Sequence, residues 1–183
     1  MPPPLTSEGL LIHKFPFQNS DLIVTWLTKE HGRIKTIAKG ALRSGSAYQG
    51  VLDLYYQCEI QFISKTKSEI DTLKEVHLTE PYLGVRRDYK IIQLLHYFTE
   101  IIESLTEPRT PIEAYYDLFH KAVTYLNQKE PSLELINRFE KRSLDLAGIS
   151  IDSFISMKGM LEANGYRIPR SLSKIQELKF DRQ

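Results

Sequence analysis

Cysteine is the scarcest feature of this 183-residue chain: there is one, Cys58. That excludes an intramolecular disulfide and any zinc site built from several thiolates. Cys58 alternates with apolar neighbours and reads as a small core residue. The five histidines (His13, His31, His77, His96 and His120) never fall at metal-binding HxxxH spacing, and no acidic cluster surrounds one. No metal or other cofactor is expected. The sequence also lacks the lysine-bearing phosphate loop, the dinucleotide-binding GxGxxG and the GxSxG nucleophile elbow. Nothing in the pattern looks catalytic, so the chain reads as a non-enzyme. No apolar run approaches the roughly 18–20 residues that span a bilayer. The opening MPPPLTSEG has neither the basic nor the apolar region of a secretory signal, so the expectation is a soluble cytoplasmic protein without membrane partners. Nor is there an excess of charge. With 24 Lys and Arg against 23 Asp and Glu, the net charge is +1, and any polyanion binding has to come from local clustering. What remains, 42% hydrophobic and 26% charged, is the composition of an ordinary globular chain.

The clustering is found between Leu22 and Arg43. Leu22 to Thr28 is apolar and β-branched with Trp26 inside it, a composition that suits a half-buried strand. Gly32 supplies the positive φ of a hairpin turn. The return strand places Arg33, Lys35, Ile37 and Lys39 on one face, and Ile34, Thr36 and Ala38 on the other. Lys29, Arg33, Lys35, Lys39 and Arg43 stand in this stretch against one acid, Glu30. The ribbon points to a polyanion partner; the plain alternative is an exposed strand face made soluble.

Around that hairpin, the spacing predicts a first strand from Gly9 to Phe17 with Leu11, Phe15 and Phe17 on one face. Arg43 to Gly50 reads as a flexible Gly/Ser loop. Leu52 to Ile63 alternates cleanly, and Ile70 to Leu78 returns with Ile70, Val76 and Leu78 inward. About five short strands in some 80 residues fit a small barrel of OB type, although a sandwich is also possible. From Pro81 the period turns helical. A stripe of Tyr89, Ile92, Leu95, Phe98, Ile102 and Leu105 predicts one helix. A second is expected with Thr110 as N-cap, Pro111 at N1 and Ile112, Tyr115, Phe119, Ala122 and Leu126 inward. A third runs from Pro131 with Leu133, Ile136, Phe139 and Leu146 inward, stopped by Gly148. Ile151 to Asn164 and Ser171 to Phe180 complete the set. The expected class is α+β: a five-stranded barrel in 1–80, then a helical domain in 81–183.

Candidate ligand contacts follow from this layout. Tyr48 sits in the Gly/Ser loop near Lys39 and Arg43, where a ring beside cations suits stacking of an unpaired base. The alternative is an anchor that pins the loop. Lys65 and Lys67 lie in a further barrel loop that can reach the same backbone. Tyr89 and Tyr115 read as core, with Tyr116 and Tyr125 off the main stripe. A moderately basic tail carries Arg167, Arg170, Lys174, Lys179 and Arg182.

Several stretches are similar to the RecO family of bacterial recombination and repair mediators. They are Glu8-Gly9, Ser20 to Val24, Leu27 to Arg33, Ile37 to Ala41, and Glu80-Pro81-Tyr82 through Arg86. The resemblance is good over about residues 8–105 and weaker to Gly148. It implies an OB-fold followed by a helical domain. It also implies binding of single- and double-stranded DNA, strand annealing, and partnership with RecR and single-strand-binding protein in loading RecA, the work of the RecFOR pathway near the nucleoid. The family's DNA-contacting role falls on Arg33, Lys35, Lys39 and Arg43. The resemblance also implies a helical-domain pocket for the acidic, apolar tail of single-strand-binding protein. Many members carry a four-cysteine zinc motif there; this chain has no cysteine after Cys58 and is short for the family. A protein-interaction scaffold acting mainly through the helices is the alternative function, and an RNA-binding barrel is a third.

Overall fold

The computed structural model describes residues 3–150, 155–178 and 180. Five strands, β1 (Leu5–Phe17), β2 (Asp21–Thr28), β3 (Gly32–Ala38), β4 (Gln57–Ile63) and β5 (Ile70–Glu80), close a barrel in the order β1-β2-β3-β5-β4. All pairs are antiparallel except β3 with β5, a short parallel ladder from Lys35–Ile70 to Ile37–Thr72. This is the order of an OB-fold. The interior is filled by Leu11, Val24, Trp26, Ile34, Ala38, Cys58, Ile60, Phe62 and Leu73. Trp26 is fully buried, and its indole N–H donates to Thr36 Oγ1 at 2.9 Å, which removes the cost of burying that polar tip. Burial pushes the Cys58 thiol up to about 12, as befits a core residue rather than a nucleophile.

β1 starts four residues earlier than the alternation predicts and does not keep one parity. Between Leu11 and His13 the register with β2 shifts. The extra residue is a β-bulge, and past it every side chain changes face. Leu11 opposes Trp26 in the interior, whereas Phe15 opposes Ile23 on the outside. Phe15 and Phe17 are therefore exposed, 57% and 38%, instead of sharing the face of Leu11. A register shift between β4 and β5 at Gln61/Phe62 has a similar effect on the start of β5, while the second, between Gln57 and Cys58, falls beyond Leu78. Asp71 and Leu73 point inward, Ile70 and Val76 are half-buried, and Leu78 is exposed. The regular strand expected from Leu52 begins only at Gln57, preceded by turns with Tyr55 at φ +63°.

The barrel unit takes back a second piece of chain, Pro108–Tyr116. Arg109 is its pin. Its N–H donates to Arg33 O at 3.0 Å, and its guanidinium meets Asp71 Oδ1 at 2.9 Å and the carbonyls of Ser68 and Glu69 at 3.3 and 3.1 Å. Asp71 is fully buried. Gly32, at φ +66°, has Thr110 O only 2.0 Å from where a Cβ would stand, so glycine is required both by conformation and by space. The Tyr116 hydroxyl donates to Glu8 Oε1 at 2.5 Å, a carboxylate that also accepts from Gln57 Nε2. Tyr116 is accordingly core, contrary to its place off the expected stripe.

The helical unit comprises Leu83–Glu107 and the chain from Asp117. After a 3-10 turn (Leu83–Arg86) come α1 (Tyr89–Leu105), α2 (Glu113–Gln128, whose first turn belongs to the barrel unit), α3 (Leu133–Leu146), α4 (Met157–Ala163) and α5 (Leu172–Glu177). Asp88 caps α1 by accepting from Lys90 N–H, which leaves Tyr89 at the mouth of the helix and 71% exposed rather than in the core. The helix buries a broad face, Ile91, Leu94, Leu95, Tyr97, Phe98, Ile101 and Ile102. α2 begins at Glu113, so Thr110 and Pro111 precede it, and Thr110 packs its backbone against Gly32 of the β2–β3 turn instead of capping. The stripe of Tyr115, Phe119, Ala122 and Leu126 is buried. Ser132 caps α3, Leu133 is exposed, and Gly148 at φ +72° ends it as the sequence predicts. Phe98 and Phe139 stack at 3.8 Å between α1 and α3. Residues 151–154 of the expected fourth helix, and Lys179 and Arg182 of the basic tail, lie outside the described residues. No helix among the described residues is long and apolar enough to cross a membrane.

Arg109→Ala is expected to lower stability by about 2–3 kcal/mol, because buried Asp71 loses its cation. Urea midpoints followed by Trp26 fluorescence check this, with Asp71→Asn recovering part of the loss in the double variant. A pH effect follows from Glu140, which accepts from the Tyr97 hydroxyl at 2.5 Å. Burial raises its carboxyl above the usual glutamate value, and the Tyr97 hydrogen bond opposes that shift. The folded state thus holds the proton more tightly than the unfolded state. Stability contributed here is present at low pH and is lost as pH rises from the ordinary glutamate value through the raised one. Glu140→Gln should flatten that decline in urea midpoints measured between about pH 4 and 7.

Candidate nucleic-acid interface

The alternation of β3 decides where its cations go. Ile34, Thr36 and Ala38 are buried; Lys35 and, just past the strand, Lys39 are exposed on the opposite face, with Arg33 and Ile37 half-buried between. Successive members of this row stand roughly 6.6 Å apart along the strand. Arg33 is already engaged by the strand's own neighbours: its carbonyl accepts from Arg109, and it bridges to Pro108.

Beyond β3 the chain runs through consecutive turns rather than an irregular loop. Gly40 N–H donates to Asp21 Oδ1 at 2.8 Å, Arg43 N–H to Gly40 O, Ser46 N–H to Arg43 O, and Gln49 N–H to Ser46 O. The Arg43 Nε donates to Ser20 Oγ at 3.2 Å, a neutral partner that aims the guanidinium without neutralising it. Lys39 and Arg43 together line an open cavity of about 500 Å³ with Gln18, Asp21, Ile37 and Gly40. These two cations are the expected pair that the fold brings most clearly to one place.

Tyr48 is half-buried against the barrel core, and its hydroxyl donates to the carbonyls of Leu73 and Lys74 at 3.2 and 3.3 Å. Burial and nearby Glu75 raise its pKa. Of the two expected roles, the anchor is the one with bonds to show. Lys65 and Lys67 are both exposed in the β4–β5 connection. Arg109 holds that connection through the carbonyls of Ser68 and Glu69, and Lys65 N–H donates to Asp71 Oδ1 at 2.9 Å. Arg109 is the residue that sequence reasoning missed: a single arginine between prolines, whose partners lie about forty positions upstream, leaves no local signal. Among the described residues Lys35, Lys39, Lys65 and Lys67 enter no ion pair, while Lys14, Lys29 and Arg109 of the same unit are paired with Asp53, Glu113 and Asp71.

A second feature lies in the helical unit. A groove of about 390 Å³ opens between α2 and α3. Leu118, Ala122, Tyr125, Leu135 and Phe139 form apolar walls, and Lys121, Arg138 and Arg142 stand at the rim. One acid is present, Glu134, and it is paired to Arg138 at 2.5 Å.

The family described as Recombination protein O N terminal matches residues 1–82, and that described as Recombination protein O C terminal matches residues 86–155. A DNA repair protein RecO of Rhodopirellula baltica is 29% identical over 142 residues, covering 78% of this chain and 53% of its own length. The protein of that name from Moorella thermoacetica is 28% identical over 151 residues, 82% of this chain and 55% of its own. In Geobacter metallireducens the figures are 26% over 163 residues, 88% and 66%. The chain thus spans a little over half to two thirds of the length of these curated relatives. One match takes in the barrel and the other the first helices, and together they establish that the chain belongs to the RecO family.

Proposed function

We propose that this chain is a non-catalytic DNA-binding mediator of recombination and repair, acting in the cytoplasm at the nucleoid. The observation that carries the reading is the set of exposed cations on the outer face of β3 and the loops beside it, of which Lys35, Lys39, Lys65 and Lys67 enter no ion pair among the described residues. Arg33, Lys35, Lys39 and Arg43 contact phosphates of single- or double-stranded DNA, with Lys65 and Lys67 extending the track and Tyr48 holding its loop in place. Neutralising two strands at once lets complementary strands approach and anneal, which needs no nucleotide hydrolysis. The barrel (1–80) is the DNA-binding domain in this scheme, and the helical domain (81–183) receives proteins. Its groove suits the acidic, apolar tail of single-strand-binding protein: apolar walls take the hydrophobic side chains, and Lys121, Arg138 and Arg142 take the carboxylates. With RecR, the chain helps to load RecA onto DNA covered by that protein. Kinship with proteins named DNA repair protein RecO supports the reading.

The same groove favours a second reading, a scaffold that works through its helices and binds little DNA by itself. Fluorescence anisotropy of a labelled single-stranded oligomer, titrated at several salt concentrations, separates the two. For about five phosphates engaged, log affinity falls with log salt at a slope of about −3.5. Lys39→Glu with Arg43→Glu should weaken binding about tenfold or more at low salt while leaving the urea midpoint unchanged, since both side chains are exposed. Absence of binding by the purified protein at low salt would move the function to the helices. Under either reading, Arg138→Glu with Arg142→Glu should abolish capture of an acidic, apolar peptide without weakening whatever DNA binding the wild type shows.

A further inference from the structure

The bulge in β1 does more than bend a strand. It carries Phe15 and Phe17 to the outside of the barrel, where an apolar ring costs free energy in water unless something covers it. The register fixes what stands beside them. Phe15 opposes Ile23, and Ile23 opposes Ile37, so one cross-strand row on the outer face is apolar from β1 to β3. The adjacent row runs His13, Thr25, Lys35. His13 and Phe15 hold their rings nearly parallel, with centroids 6.0 Å apart and planes 25° apart. On the other side, Phe17 opposes Asp21, whose carboxylate is occupied by Gly40 N–H. Leu42, 52% exposed, is drawn to the same end of the barrel by its N–H bond to Ser20 O. Ile37 also forms part of the cavity lined by Lys39 and Arg43. An apolar, ring-bearing strip on rigid strands therefore lies between Lys35 and the Lys39–Arg43 pair.

The geometry points to a base-stacking platform for single-stranded DNA, with Phe15 as its principal ring and Phe17 beside it. Bases have apolar faces and phosphates have charge, and the strip and its flanking cations match the two in one place. A protein partner offering only apolar side chains leaves Lys35, Lys39 and Arg43 unused. Duplex DNA hides its base faces, so the platform gives the barrel a preference for unpaired strands that its cations alone do not supply. The assignment rests on the DNA-binding reading above and deepens it. It also differs from the expectation for Tyr48, whose ring packs against the barrel core.

The test uses the full chain and two labelled probes of equal length: an oligothymidine, and a strand of abasic sugar phosphates that keeps the charge and lacks the bases. Anisotropy titrations at one low salt concentration compare wild type with Phe15→Ala and with Phe15→Ala/Phe17→Ala. The expected result is that wild type prefers oligothymidine by about tenfold, and that the substitutions erase the preference without changing affinity for the abasic strand or for duplex. Phe15→Trp should keep the preference, and its added fluorescence should be quenched by oligothymidine alone. Equal affinity of wild type for both strands overturns the platform and leaves the electrostatic reading standing. A loss in Phe15→Ala that is equal on oligothymidine, abasic strand and duplex overturns it as well. No binding to any probe at low salt overturns the DNA-binding reading itself.

Discussion

Everything in the barrel depends on β1 serving two partners. Its first half pairs with β4 from Leu5–Phe62 to Leu10–Gln57, and its second half with β2 from Gly9–Thr28 to Phe17–Asp21. A strand that passes from one neighbour to the other must coil sharply, and the extra residue between Leu11 and His13 supplies that coil at the cost of strict alternation. Closure of β3 on β5 then needs only three residue pairs, because the other ladders already hold the cylinder. The same bulge partitions β1 chemically. Before it the strand feeds the core with Leu11; after it the strand dresses the surface with Phe15 and Phe17.

That partition explains why the first strand was the least readable part of the barrel. A bulge adds one residue and leaves composition untouched, so apolar residues at 11, 15 and 17 look like one face. The alternations at 33–39 and 58–62 carry no such interruption, and the structure follows them. In β5 the shift at Gln61/Phe62 exchanged the parity of Ile70 for that of Asp71 and Leu73, while Leu78 still opposes Cys58 and is exposed. A buried aspartate is not a residue that a hydrophobic pattern can propose, since its place is made by Arg109.

The helices were legible where caps and stops are local. Gly148 ends α3, and Ser132 starts it with a side-chain bond to Leu135 N–H. They were less so where a ring could face either way: Tyr89 is lifted out by its position in the first turn, and Tyr116 is drawn in by Glu8 across more than a hundred residues. The candidate site shows the same division. The exposure of Lys35, Lys39 and Arg43 follows from period and turn chemistry. The choice between stacking and anchoring for Tyr48 does not, because its acceptors are backbone carbonyls, and these carry no sequence signature.

The excursion of the chain between Tyr82 and Pro108 has a consequence in time. At the ribosomal rate of roughly 5–20 residues per second, Tyr116 is made about 2–7 s after Tyr82. All five strands have by then been synthesised, and α1 with them, before the segment that completes the barrel unit exists. For that interval Asp71 has no Arg109 and Glu8 no Tyr116. The nascent barrel passes through a stage with its strands complete and its polar interior unfinished. Order of synthesis makes the helices part of the barrel's history.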